Sequence, residues 1–182
     1  MEYFKEINLP NWPAIQEFCL SKWDGKFTTA KTFSGEDLSY IGNIVQQDIA
    51  DTLGLDVDVK TAIMFINDAN FVQDLHIDGF TVERVNASNT ALNLPILNCE
   101  TGSMNWYDGD FFLTKSPFKT IKYLKINWRE EPKLVATKIV NRPTLVKINV
   151  PHHIENRSNS PRLMLSIRFV KDNLLENMPV IS

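Results

Sequence analysis

The stretch Thr144-Leu145-Val146-Lys147-Ile148-Asn149-Val150-Pro151-His152-His153-Ile154-Glu155-Asn156, followed by Pro161-Arg162-Leu163-Met164-Leu165-Ser166-Ile167-Arg168-Phe169, decides how this chain folds. Apolar and polar residues alternate with period two, the mark of strands that bury one face. In the first part Val146, Ile148 and Val150 share a face. Continued past Pro151, that parity turns His152 and Ile154 inward and His153 and Glu155 outward. Proline cannot donate to a ladder and marks an edge or bulge, so His153 stays open as the alternative. In the second part Leu163, Leu165, Ile167 and Phe169 make a core face, and Arg162, Met164, Ser166 and Arg168 make the other. Two arginines on one strand face either meet solvent or line a polar cavity.

Working outward, the same alternation covers Val57 to Phe65, Leu75–Asp78, Thr90–Leu97, Met104–Tyr107 and Val135–Val140, separated by turn clusters such as Asp108-Gly109-Asp110 and Asn141-Arg142-Pro143. Two helical patterns come first. Trp12, Ile15, Phe18, Cys19 and Trp23 follow Asn11 as N-cap with Pro13 in the first turn. Leu38, Ile41, Ile44, Val45, Ile49 and Leu53 form a cleaner stripe ended by Gly54. Two helices before eight short strands predict a mainly β fold. The expected architecture is a double-stranded β-helix (jelly roll, cupin-like) with helices packed on one sheet. The reading is a single domain over residues 1–182, with a helical N-terminal part (1–55), a jelly-roll core (56–170) and a tail (171–182).

The chain has 182 residues, 43% of them hydrophobic and 23% charged, enough to bury a core without disulfides or structural zinc. Its two cysteines, Cys19 and Cys99, lie 80 positions apart with no CxxC, and read as small buried hydrophobes. The first residues lack the basic and apolar regions of a signal peptide, and no apolar run spans a bilayer, so a cytoplasmic protein without a membrane partner is expected. A net charge of -3 gives no pull toward nucleic acid.

Three histidines are present: His76, His152 and His153. In a strand, His76 and Asp78 would project from one face roughly 6.5–7 Å apart, within reach of one cation. A second histidine from another strand would complete a two-histidine, one-carboxylate triad, which leaves positions on Fe(II) open for co-substrate and O₂. HxD alone more often marks a hydrogen-bonded surface pair. An inward arginine such as Arg162 suits an anionic co-substrate, since a guanidinium grips a carboxylate with two hydrogen bonds.

With these residues in place, the sequence resembles the Fe(II)/2-oxoglutarate-dependent dioxygenase superfamily over roughly Val57 to Val170, with most likeness to its prolyl-hydroxylase and aspartyl/asparaginyl-hydroxylase branches. The resemblance implies His76, Asp78 and His152 as iron ligands and catalytic centre. The segment Val150-Pro151-His152-His153-Ile154-Glu155-Asn156 with Pro161-Arg162 is similar to the family's "PHxhxN…R" ending. Arg162, ten positions after His152, then holds the far carboxylate of 2-oxoglutarate, with Arg168 in reserve. Asn93 in Ala91–Cys99, Ser166 and Tyr107 join the co-substrate pocket, with Trp106 beside Tyr107 in the same role. The asparaginyl-hydroxylase branch places basic residues where this chain has Ala91 and Asn93, so a shared substrate does not follow. The implied reaction is hydroxylation of a C–H bond, with 2-oxoglutarate and O₂ converted to succinate and CO₂. The substrate could be a small molecule or a protein side chain, and the sequence does not speak to oligomeric state.

Two rivals keep the fold: a cupin-type metalloenzyme without 2-oxoglutarate, and a non-catalytic jelly-roll binding module. A last feature is Lys115, Lys119, Lys122, Lys125 and Arg129, five cations within fifteen residues. They read as a solvated face of a helix or irregular insert, or as a patch that steers an acidic ligand.

Overall fold

The computed structural model describes residues 2–25, 30–78, 89–115, 124–171 and 174–177. Its centre is a six-stranded antiparallel sheet in the order β1-β9-β4-β11-β3-β2, built from β1 (Phe4–Glu6), β2 (Ala30–Phe33), β3 (Val59–Asn67), β4 (Thr90–Leu97), β9 (Thr144–Lys147) and β11 (Arg162–Phe169). A second sheet, ordered β10-β5-β8, contains β5 (Gly102–Asp108), β8 (Lys133–Ile139) and β10 (His152–Asn156). The remaining strands, β6 (Phe111–Lys115) and β7 (Leu124–Trp128), form a separate hairpin. This is the mainly β, jelly-roll architecture that the alternation predicts. Among the described residues, no helix is long and apolar enough to cross a membrane.

The six-stranded sheet is covered on both faces, which explains why β4 and β11 read as nearly unbroken buried runs. On one face Leu92, Leu94, Leu163, Leu165, Ile167 and Phe169 pack with Ile15 of α1 (Trp12–Ser21) and Ile41, Val45 and Ile49 of α2 (Gly35–Leu53). On the other, Ala91, Val146 and Met164 pack with Met104 and Trp106 of β5. Helix α2 ends as expected on Gly54, whose φ of 66° is the left-handed conformation that glycine adopts without strain.

Several sequence expectations change. Asn11 is the N-cap residue of α1, as expected, but its side chain makes no capping bond; its backbone N and Nδ2 donate instead to Asp48 Oδ2 and Oδ1 at 2.9 and 2.7 Å, tying the two helices together. The first 55 residues are not purely helical, because β1 and β2 extend the main sheet at its two edges. Both strands are short, three and four residues, too brief for a periodic signal. Helix or irregular insert is likewise replaced by strand at both ends of Lys115–Arg129; Lys119 and Lys122 lie outside the described residues. In the tail, Leu174 and Leu175 of the short α3 (Leu174–Asn177) are buried in the main core. Both cysteines are free and buried; burial pushes the Cys19 thiol up to about 12.

Candidate metal and co-substrate site

The three ligand candidates come from two places in the chain that the backbone fastens together. His76 and His152 form an isolated antiparallel bridge, with N–O distances of 3.0 and 2.9 Å in the two directions. Only His76 of the predicted strand Leu75–Asp78 is bridged to the sheet. Asp78 lies in a turn, so the two do not share a regular strand face; its backbone N donates to Ile148 O at 3.0 Å, which turns the carboxylate back toward the histidines. One ligand atom from each of His76, Asp78 and His152 lies within 4.8 Å of the others.

Both imidazoles are held in the same tautomer. His76 Nδ1 donates to Asp74 O and His152 Nδ1 to Val150 O, each at 2.8 Å, so each Nε2 is the nitrogen turned toward the centre. The rings stand 4.4 Å apart between centroids. Asp78 Oδ1 lies 3.2 Å from His76 Nε2, and Asp78 Oδ2 accepts from Arg168 Nη2 at 2.6 Å. Burial pushes the His76 imidazolium down, but its hydrogen bond to Asp78 and that carboxylate's charge more than reverse this, so its pKa is raised. Burial and the neighbouring His76 push His152 down to about 4. Asp78 is driven well below the usual carboxylate range: burial opposes this, but the bond from His76 and the charge of Arg168 prevail. The site thus holds one anion, Asp78, against Arg168, with His152 neutral.

His153 points away. Its Nε2 meets Glu155 Oε1 and Asn105 Nδ2 at 3.1 and 2.9 Å on the opposite face of β10, and Tyr107 packs on its ring at 5.3 Å. Tyr107 and Trp106 therefore correct the expected pocket lining. Tyr107 follows a register shift in β5 and sits with His153 outside the cavity. Trp106 faces inward but is buried against Tyr3 and Phe4, its Nε1 donating to Lys147 O at 2.7 Å.

The triad opens on a cavity of about 200 Å³, whose walls include Asn93, Arg162, Met164, Ser166 and Arg168. This is smaller than the roughly 300–1,000 Å³ usual for drug-sized ligands, so it suits a small molecule. Ser166 Oγ donates to Asn93 Oδ1 at 2.6 Å and accepts from Arg168 Nη1 at 2.6 Å. Arg168 is thus spoken for by Asp78 and Ser166. Arg162, at 1% exposure, donates from Nη1 to Asn67 Oδ1 at 3.0 Å, while its Nε is buried without a partner. Burial lowers the Arg162 pKa, yet a guanidinium stays charged at any ordinary pH. A buried cation with an unpaired donor is costly unless an anion joins it.

No protein-family model and no curated protein matches the sequence. Solved structures do. AviO1 from Streptomyces viridochromogenes Tue57 matches with a TM-score of 0.51 at 12% identity, over 98% of this chain and 92% of that one. The likeness is one of fold. A Pseudomonas putida prolyl-4-hydroxylase is similar at a TM-score of 0.48 and 12% identity, over 93% of this chain and 92% of that one. The non-haem α-ketoglutarate-dependent carbocyclase SnoK from nogalamycin biosynthesis gives 0.49 and 13%, over 95% and 83%.

Sequence reading missed three residues that shape this site. Asn67 accepts the Arg162 hydrogen bond. Asn156 Nδ2 contacts the carbonyls of Asn67, Asp68 and Ser160 at 3.2, 2.8 and 2.9 Å, pinning the end of β3 on which Asn67 sits. Gly102 makes room for Arg162: a Cβ there would lie 2.6 Å from its Cδ and Nε. Only Asn156 carried a signal, as the last residue of the PHxhxN pattern.

Proposed function

We propose that the protein is a non-haem Fe(II), 2-oxoglutarate-dependent oxygenase that hydroxylates a C–H bond. The observation that carries this reading is one cavity holding His76, Asp78 and His152 at one place and the unpaired, buried Arg162 donor at another. The donors fit the metal: two imidazole Nε2 atoms and one carboxylate are the ligand set of open-sided Fe(II) sites. They fit the co-substrate as well, because a far carboxylate gives Arg162 Nε its missing acceptor.

Iron with 2-oxoglutarate and O₂ supplies the oxidising chemistry, with succinate and CO₂ as by-products. The chain supplies the rest. The Asp74 and Val150 carbonyls fix both histidine tautomers. Arg168 holds Asp78 Oδ2 and leaves Oδ1 turned toward His76. Arg162 orients the co-substrate from the other end, and Met104, Ile148, Ile154 and Met164 keep the cavity dry. The substrate is a small molecule or a protein side chain.

The test is anaerobic addition of Fe(II) and 2-oxoglutarate to metal-free protein. A visible charge-transfer band is expected, absent in His152→Ala. Binding of metal without 2-oxoglutarate would instead point to a cupin-type enzyme, and binding of neither to a non-catalytic module.

A further inference from the structure

The rim of the cavity carries a charge that the proposed reaction leaves unused. Of the described residues that line the cavity, Asp74 is the one that is exposed, so it marks where the cavity meets solvent. Its carboxylate makes no hydrogen bond or ion pair among the described residues. Every other ionisable group of the lining already has a task. Asp78 is paired with Arg168, His76 and His152 face the centre, and Arg162 lies against Asn67 with its Nε toward the co-substrate.

The backbone explains why an acid stands there. Val72 is bridged to Glu155 and His76 to His152, so four steps along one chain oppose three along the other. One residue is surplus, a bulge of the kind that re-aims a side chain beside a site. Gln73 N still donates to Ile154 O at 2.9 Å, which leaves Asp74 or Leu75 as the surplus residue. Asp74 O accepts from His76 Nδ1 at 2.8 Å, so this residue belongs to the metal end of the cavity. The neighbouring lining is apolar at Ile148, Ile154 and Met104. Low-dielectric walls beside a single sign of charge focus its field on whatever enters.

We propose that the substrate carries an ammonium or guanidinium group, which Asp74 binds at the mouth of the cavity. This rests on the proposed function and names the substrate class that it leaves open. A carboxylate that merely faces solvent predicts something different: no preference between a cation and a neutral molecule of the same shape.

The experiment uses protein saturated with Mn(II) and 2-oxoglutarate, without turnover, and reads paramagnetic broadening of probe proton signals by the metal. The probes are n-butylamine, its neutral isostere n-butanol, and a lysine within a short peptide blocked at both ends. Both ammonium probes should bind at least about fivefold more tightly than butanol, as expected of one exposed ion pair. The tighter of the two tells a free amine from a protein side chain. Asp74→Asn should bring the amine down to the level of butanol, and Asp74→Glu should restore part of the preference. Melting temperatures show whether the variants are folded. Independently of any variant, the wild-type preference should shrink between about 0.05 and 0.5 M salt. Equal binding of amine and butanol by wild type, or a preference that survives Asp74→Asn, overturns the proposal. Failure of 2-oxoglutarate to bind the Mn(II) protein overturns the co-substrate reading instead, and the same probes on the Mn(II) protein alone still decide the role of Asp74.

Discussion

Arg168 Nη2 lies 2.6 Å from Asp78 Oδ2, an ion pair that joins the last long strand to the turn after His76. It is only partly exposed, and Ser166 and Asn93 back the arginine from behind. Arg168 therefore positions Asp78, the carboxylate proposed to bind the metal. Arg168→Ala should lower Fe(II) affinity about 10–100-fold, the usual cost of losing a group that orients a ligand. Arg168→Lys should recover part of it by charge but lose the shared bond to Ser166. Competition against a fluorescent chelator measures both.

The two adjacent histidines separate cleanly by direction. His152→Ala should abolish stoichiometric metal binding. His153→Ala should leave it intact, costing about 1 kcal/mol from the Glu155 and Asn105 contacts on the outer face. Metal content after dialysis, with thermal melts of both variants, distinguishes them.

Acid should act on the metal-free protein through His152. Its folded value of about 4 lies below the ordinary 6.5, so folding favours the neutral ring. That stabilisation is complete above pH 6.5 and is lost as pH falls through 6.5 toward 4. His76 has the opposite sign: its raised value contributes stability below pH 6.5 that disappears as pH rises through the folded value. Both rings must be neutral to bind metal, so Fe(II) should release a proton from His76 and bind less tightly as pH falls. Melting curves in chelator from pH 7 to 4, and proton release on metal addition, test the two statements. His152→Gln should flatten the first between pH 6.5 and 4.

Gly102→Ala should disable the cavity without touching a ligand. The new Cβ falls 2.6 Å from Arg162 Cδ and Nε, so the arginine must move. Overpacking of this kind costs about 1–3 kcal/mol. The larger effect should be on 2-oxoglutarate, whose Kd should rise while Mn(II) affinity stays unchanged.

Asn156→Ala should lose the three Nδ2 contacts and the two from Ser158 N and Oγ to Oδ1. With the side chain buried, a loss of roughly 2–4 kcal/mol is expected in chemical denaturation.

The sequence carried the strands long enough to alternate. β3, β9 and β10 were legible from alternation between turn residues, whereas β4 and β11, covered on both faces, read as nearly unbroken buried runs of strand length. β1 and β2 were not, since three or four residues hold no period, and their place at the sheet edges is set by tertiary pairing. Parity alone turned His152 inward and grouped Arg162, Ser166 and Arg168 on one face, and all four line the cavity. The resemblance, not parity, put Tyr107 in the pocket; as the neighbour of the inward Trp106 on β5 it turns to the outer face beside His153. Asn67 and Gly102 were invisible for another reason: an asparagine ending a strand and a glycine in a turn-rich stretch look ordinary until a distant arginine is laid beside them.

Arg162 also works as a strut. Rooted in the six-stranded sheet, it crosses to Gly102 of the other sheet and is tied to Asn67 on the way. The spacing of the two sheets and the filling of the cavity are therefore one mechanical coordinate. A diacid lodged against that arginine would brace the sandwich from within, and the protein should stiffen as a whole when it is loaded.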